Sequence, residues 1–346
     1  MPTAKTECTE LSVAFGLLDL TPSAADQIIQ EAFGASLPKP KVTQFRSEFR
    51  SNQQLYQRLL AVGKRIRNSH PSLGNQTNLA WTGPEKQAST ASVSKDLLVG
   101  NIPVSVKTDS DVVANLSPYN LFENLPRGAA QAANEGNWFL HANPQGFQEV
   151  YGFVREQITS PRNLPESIAE FEATATKSDR KNLAQAISRL SDRKKERFQE
   201  LYVSWCRSVA QFSAETFNRN FAKSLASTSK NTVLEHIAKW FFRLNSVEYL
   251  LCGIDKREEF AVIIPDITSW KRKWRITNAQ ASPELDREQS VVRFTITCHE
   301  VATQSNYTYE YHDEIRWSHG KFCGNPEAKL YKNFAWKNMT FFKTLF

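Results

Sequence analysis

The sequence predicts an α+β fold: a central mixed β-sheet flanked by helices, with a large helical subdomain. Three observations predict it. Leu97 to Lys107 has the pattern of a β-hairpin, Pro165 to Leu250 carries apolar side chains at helical spacing, and the chain from Ser246 onward returns to apolar or alternating runs of strand length. Over 346 residues this divides into an N-terminal helical region at 1–70, a core with the hairpin at 71–160, the helical subdomain at 161–245 and a β-rich region at 246–346 that completes the core.

Taken in order, Thr21-Pro22-Ser23 introduces a helix over Ala25 to Phe33, which Pro38 and Pro40 end. A long helix begins near Val42. Phe45, Phe49, Leu55, Leu59 and Val62 form its apolar face, and Arg46, Arg50, Arg58, Arg65 and Arg67 its charged one. Residues 68–94, rich in Asn, Ser, Thr, Gly and Pro, read as loop, with Trp81 either core or part of a lid. In the hairpin, Leu97–Val99 is the first strand and Gly100-Asn101 suits a tight turn with positive φ. Ile102, Val104 and Val106 then alternate with Pro103, Ser105 and Lys107, so Ser105 and Lys107 share a face that Asp96 can approach from across the hairpin. Asn137 to His141 is apolar enough for a buried strand, and Phe147 to Gln157 reads as helix. Helices follow over Asp179 to Ala210, from Thr216 to Lys223, and over Val233 to Leu244, where His236 on an apolar stretch reads as structural. Ser246 to Cys252, Phe260 to Ile264, Val291 to His299 and Tyr307 to Trp317 are strand candidates.

Composition narrows the function classes. A hydrophobic share of 40% supports a sizeable core. No apolar run reaches the roughly 18 residues that suggest a membrane-spanning helix, and the N-terminal residues lack the basic-then-apolar order of a signal peptide, so a cytoplasmic protein is expected. The five cysteines are scattered without metal-finger spacing and read as reduced thiols. Lys and Arg exceed Asp and Glu by 43 to 36, a mild bias compatible with a polyanionic partner. Trp270-Lys-Arg-Lys-Trp-Arg275 sharpens that bias, because interleaved cations and indoles suit phosphates and bases, with Lys271, Arg272, Lys273 and Arg275 as contacts. Arg316, His319, Lys321, Asn325 and Lys329 form a second candidate group for base edges or phosphates.

An Asp, a tight turn and a strand ending in x-x-Lys resembles the core of PD-(D/E)xK nucleases, the superfamily of most type II restriction endonucleases. In that family the Asp and the triplet sit on adjacent strands and bind a divalent cation. Here the triplet is Ser105-Val106-Lys107, with Ser in the acid's place. Some restriction enzymes carry such a Ser-x-Lys form and take the missing carboxylate from elsewhere, often a nearby helix. The resemblance implies a restriction-endonuclease-like core, Mg²⁺-dependent hydrolysis of double-stranded DNA at specific sites, and a homodimer. Asp96, Ser105, Lys107 and Glu123 would be the catalytic residues. Asp96 and Glu123 would hold Mg²⁺, which keeps several waters and needs only one or two carboxylates besides the phosphate. Lys107 would handle the attacking water. Glu123 is favoured because Leu121 to Leu125 reads as a helical turn just past the hairpin; Glu85 and Glu48 are reserves, ahead of Asp109 and Asp111. Two alternatives stand beside this reading. One is a DNA-binding protein with a degenerate core. The other is a metal-independent ribonuclease built on the Arg-x4-His spacing of Arg65 and His70, which is similar to the HEPN motif.

Overall fold

The computed structural model describes residues 4–20, 39–74, 79–82, 95–130, 136–158, 164–227 and 230–346. The expected helix at Ala25 to Phe33 and the reserve carboxylate Glu85 lie outside them. The fold is α+β, with two multi-stranded sheets. The chain forms two compact units that cut across the four ranges expected from sequence: Met1–Asp111 with Phe242–Lys273 and Phe334–Phe346, and Val112–Phe241 with Trp274–Asn333.

The first unit holds the helices α1 (Ala4–Leu17), α2 (Lys39–Ser51), α3 (Gln53–Ser69) and α4 (Pro71–Gly74). Strands β1 (Leu79–Trp81), β2 (Leu97–Val99) and β3 (Ile102–Thr108) follow. After the chain returns from the second unit come β5 (Tyr249–Asp255), β6 (Glu258–Ile264), a short helix at Ile267–Lys273 and β11 (Lys343–Thr344). The sheet order is β1-β2-β3-β5-β6-β11. All neighbours are antiparallel except β3 and β5, which run parallel. The predicted hairpin is present. Val99 pairs with Ile102 across a two-residue turn, and Gly100 takes the positive φ, 58°. Pro103 precedes the parallel ladder, which begins at Val104, so its missing N–H costs no β5 bond.

The hairpin does not present a wet face, as simple alternation would have it. Residues 103–106 are all buried and Ser105 has no exposure. One face of β2, β3 and β5 packs against α1 and α3 through Leu97, Val104, Val106 and Cys252. β5 is buried along its whole length, the mark of a central strand covered on both sides. Helix α1 is buried almost all round, and α3 turns Tyr56, Leu59, Val62 and Ile66 inward at helical spacing. The two helices touch backbone to backbone: a Cβ on Gly16 would lie 2.1 Å from the Leu60 carbonyl oxygen, and one on Gly63 2.2 Å from that of Val13.

The second unit is built on an antiparallel sheet of β4 (Val112–Leu116), β7 (Trp274–Pro283), β8 (Ser290–Glu300), β9 (Asn306–Arg316) and β10 (Glu327–Lys332), in the order β4-β10-β9-β8-β7. The helical block is no separate subdomain. Its long helix, Asp192–Leu225, packs on β7 and β8 and shares their core, with Phe217 against Phe294. The helix expected over Asp179 to Ala210 breaks between Ser188 and Asp192 and then runs on past residue 210, because Val209, Ala210, Ser213, Ala214 and Phe217 extend one buried stripe. Asn137 to His141 is not a strand. Asn137 caps a short helix, Trp138–Ala142, by accepting the Phe139 N–H at 2.9 Å. A five-residue apolar run cannot by itself separate the two states. No helix among the described residues is long and apolar enough to cross a membrane.

Candidate active site

Asp96 stands just ahead of β2 and is pinned from both sides. Its N–H donates to the Val104 carbonyl at 3.0 Å, and its own carbonyl accepts the Thr82 N–H at 3.1 Å. The β2–β3 ladder ends at Leu97 and Val104. Beyond it the Asp96 side chain takes over: Oδ2 accepts the Val106 N–H at 2.7 Å and the Ser105 hydroxyl at 3.1 Å. Ser105 is therefore a donor that orients Asp96. A carboxylate there would bring a second negative charge against the first.

Lys107 follows two residues on. Burial, and then the neighbouring Arg243 charge, lower its proton affinity, against the opposing pull of Asp96 and Glu10. The backbone of β5 presses on it through Gly253, whose register partner is Lys107. Arg243, itself left-handed at φ 55°, is anchored by its carbonyl, which accepts the Tyr249 hydroxyl at 2.9 Å.

The carboxylate beside this pair is Glu10, on α1. It is 4% exposed, and its Oε2 accepts the Trp81 indole N–H at 2.7 Å. Burial and the Asp96 charge push its pKa up to about 7, while the Trp81 bond and Lys107 work the other way. Trp81, on β1, packs against the core of its unit, as one of its two expected roles has it, and its indole N–H also holds an acid. The sequence reading missed Glu10. No local signal marked it: Glu10 precedes the largely apolar run from Leu11 to Leu17, and Glu7 and Thr9 stand just before it.

The expected second carboxylate is Glu123. It belongs to the other unit, in a π-helical turn at Asn120–Asn124, where its oxygens meet Arg127 and His141, each at 3.3 Å. Glu48 accepts the Tyr56 hydroxyl at 2.7 Å, Asp109 accepts the Arg257 N–H at 3.3 Å, and Asp111 is exposed. Arg65 is held by Glu259 at 3.1 Å and by the Phe346 ring at 3.8 Å, while His70 closes α3 through its backbone N–H.

The tryptophans of the basic stretch are not base platforms. Trp270 and Trp274 are 3% and 5% exposed, the first on a helix and the second opening β7. Lys271, Arg272, Lys273 and Arg275 remain exposed around them. Of the second basic group, Arg316 pairs with Glu314 at 3.2 Å, and Lys329 is half-buried on β10 opposite Glu314. His319 and Asn325 are exposed between β9 and β10. Lys321 lies 3.7 Å from the Tyr202 ring centroid, beside a groove of about 1020 Å³ along the long helix of the second unit. The acids lining that groove are Glu196 and Glu200.

Among the described residues no group of three or more His, Cys, Asp or Glu side chains is arranged to hold a metal ion. No protein-family model, curated protein or solved structure matches the chain.

Proposed function

We propose that the chain is a Mg²⁺-dependent nuclease of the PD-(D/E)xK type that hydrolyses double-stranded DNA at specific sites. The observation that carries the reading is the meeting of Glu10, Asp96 and Lys107 on α1, the head of β2 and β3, with the Asp and the triplet on adjacent strands. Two carboxylates from different elements, one driven to about pKa 7 partly by the other, make a donor pair that a cation would relieve. A hard cation with its own waters needs no third protein ligand. Glu10 takes the place of the acid that Ser105 lacks.

Asp96 and Glu10 would hold the cation, Ser105 and the Val106 N–H fix the Asp96 rotamer, and Trp81 fixes Glu10. A bound Mg²⁺ would stabilise charge on the phosphate and acidify a bound water. Lys107, its proton affinity lowered, is suited to take a proton from the attacking water while it touches the phosphate. Sequence-specific cutting of a two-fold symmetric site would use two copies of the chain.

A second reading, a DNA-binding protein without catalysis, draws on the serine: the triplet position supplies a hydroxyl bound to Asp96 and no negative charge. One experiment separates them. Wild type, Asp96→Asn, Lys107→Ala and Glu10→Gln are incubated with methylated and unmethylated plasmid and phage DNA in Mg²⁺ or EDTA. Discrete fragments from wild type alone, lost in EDTA, support the nuclease. DNA left intact under all conditions, with a salt-sensitive gel shift remaining, leaves the binding protein.

A further inference from the structure

The β5–β6 turn breaks the usual residue rule for two-residue hairpins. Asp255 pairs with Glu258, so Lys256 and Arg257 are the turn. Both have left-handed backbones, φ 49° and 66°. Two positive φ values in succession strongly favour Asn-Gly, Asp-Gly or Gly-Gly, because a Cβ is crowded there. This chain instead places two long cationic side chains at the turn, both exposed. The surroundings enforce the conformation. The Arg257 N–H donates to Asp109 Oδ1 at 3.3 Å, and Arg58 Nη2 donates to the Arg257 carbonyl at 2.8 Å. Asp109 is itself left-handed, φ 44°, with its N–H on the Ile254 carbonyl at 2.8 Å. Strained backbone that the fold over-determines in this way is characteristic of functional positions.

The turn sits at the end of the sheet towards which Lys107 runs. β3 and β5 are parallel, with Lys107 opposite Gly253 and Thr108 opposite Ile254. Lys256 lies three residues past Gly253, roughly 10 Å further along the strand direction. Arg58 and Arg65 flank the turn and both engage Glu259, at 3.4 and 3.1 Å; Glu258 bonds Lys337, and Asp255 is buried beneath the Trp336 N–H. Around the turn the five cations Arg58, Arg65, Lys256, Arg257 and Lys337 stand against the four acids Asp109, Asp255, Glu258 and Glu259.

We propose that Lys256 and Arg257 form a clamp for the DNA backbone, holding phosphates next to the one that would enter the Asp96–Lys107 site. The strand's path past that site rests on the nuclease reading, whereas phosphate binding by the turn does not. Such contacts position a duplex without reading its sequence.

The test replaces the turn in the full chain by Lys256→Asn with Arg257→Gly, the pair its backbone favours, and separately by Lys256→Gln with Arg257→Gln. Binding of a short mixed-sequence DNA duplex is followed by fluorescence anisotropy in EDTA across a salt series, beside thermal unfolding. The Asn-Gly pair raises Tm by a few degrees. Both pairs lower affinity ~10-fold at low salt and make the slope of log K against log salt shallower by about 2. Unchanged affinity and slope in the glutamine pair overturns the clamp. A wild type that binds and weakens as expected but never cuts DNA with Mg²⁺ leaves the clamp standing and removes the nuclease reading. A wild type that cuts, with binding and cutting untouched by either pair, removes the clamp alone.

Discussion

Gly253 lies so close to Lys107 that a Cβ placed on it would stand 1.8 Å from the lysine's carbonyl oxygen. Its φ of 136° is also one that L side chains avoid. The glycine lets β5 seat directly against β3 where the candidate base projects. Gly253→Ala should cost roughly 2–4 kcal/mol and abolish whatever activity depends on Lys107. The control is Gly152, inside the helix Pro144–Arg155 with nothing within 4 Å of a new Cβ. Gly152→Ala should stabilise by about 0.5–1 kcal/mol. Urea unfolding of both variants checks the pair.

Asp96 has a structural role apart from the chemistry proposed for it. Asp96→Ala would strand the buried Val106 N–H and Ser105 hydroxyl without their acceptor, and should cost roughly 2–3 kcal/mol. Asp96→Asn keeps an oxygen for both donors and should stay within about 1 kcal/mol of wild type, while removing the charge that a cation needs. The expected outcome is a folded, inactive Asp96→Asn protein beside a destabilised, inactive Asp96→Ala. An active Asp96→Asn would remove Asp96 from the chemistry.

Where sequence and structure agree, the signal was local. Gly100-Asn101 with alternation on its far side specifies a hairpin whatever lies around it. The burial of Ser105 was not legible, because alternation describes one strand and cannot tell that helices cover one face while the other is also buried. Glu123 was the expected partner of Asp96 because the intervening chain is short. The unit boundary falls between them, and it is set by β4 pairing with β10, more than two hundred residues on, through contacts such as Leu116 with Ala328. Glu10 meets Asp96 only because α1 crosses α3 at Gly16 and Gly63 and so lies against β3. Nothing in the neighbourhood of either residue encodes that crossing. Trp270 and Trp274, four residues apart among cations, read as faces for bases, yet packing buries both, the first on a helix and the second at the start of β7.

Glu10 predicts a pH dependence with a definite sign. Its folded-state pKa, about 7, is above the ordinary glutamate value, so between about 4.5 and 7 the folded protein binds more protons than the unfolded chain. Stability contributed by this group falls as pH rises through that window and then levels off. Glu10→Gln should remove the decline and leave the variant more stable than wild type above pH 7, by about 3 kcal/mol at most. Mg²⁺, if it occupies the pair, should raise the wild-type Tm above pH 7 and act more weakly on Glu10→Gln. Thermal unfolding across pH, with and without the cation, checks both. A wild type whose Tm ignores Mg²⁺ at every pH would argue against a metal at these carboxylates.

The second unit carries its own buried acid. Asp313, on β9 between Tyr311 and Ile315 of the core-facing set, has no exposure, and neither of its oxygens has a hydrogen-bond partner among the described residues. Burial raises its pKa well above the carboxylate range, with Glu314 adding to the effect. The protonated form is the one the fold accommodates, since an unpaired buried charge is far costlier than a neutral carboxyl. Because the folded-state pKa is raised, the group's contribution to stability falls as pH climbs from the ordinary carboxylate value towards the folded one. Asp313→Asn cannot ionise and should flatten that decline. Asp313→Val removes the unpaired polar group and should stabilise by about 1–3 kcal/mol near neutral pH. Unfolding free energies of the three proteins at several pH values test this. A wild type more stable than both variants at neutral pH would mean that Asp313 has a partner the fold supplies in solution, such as a buried water.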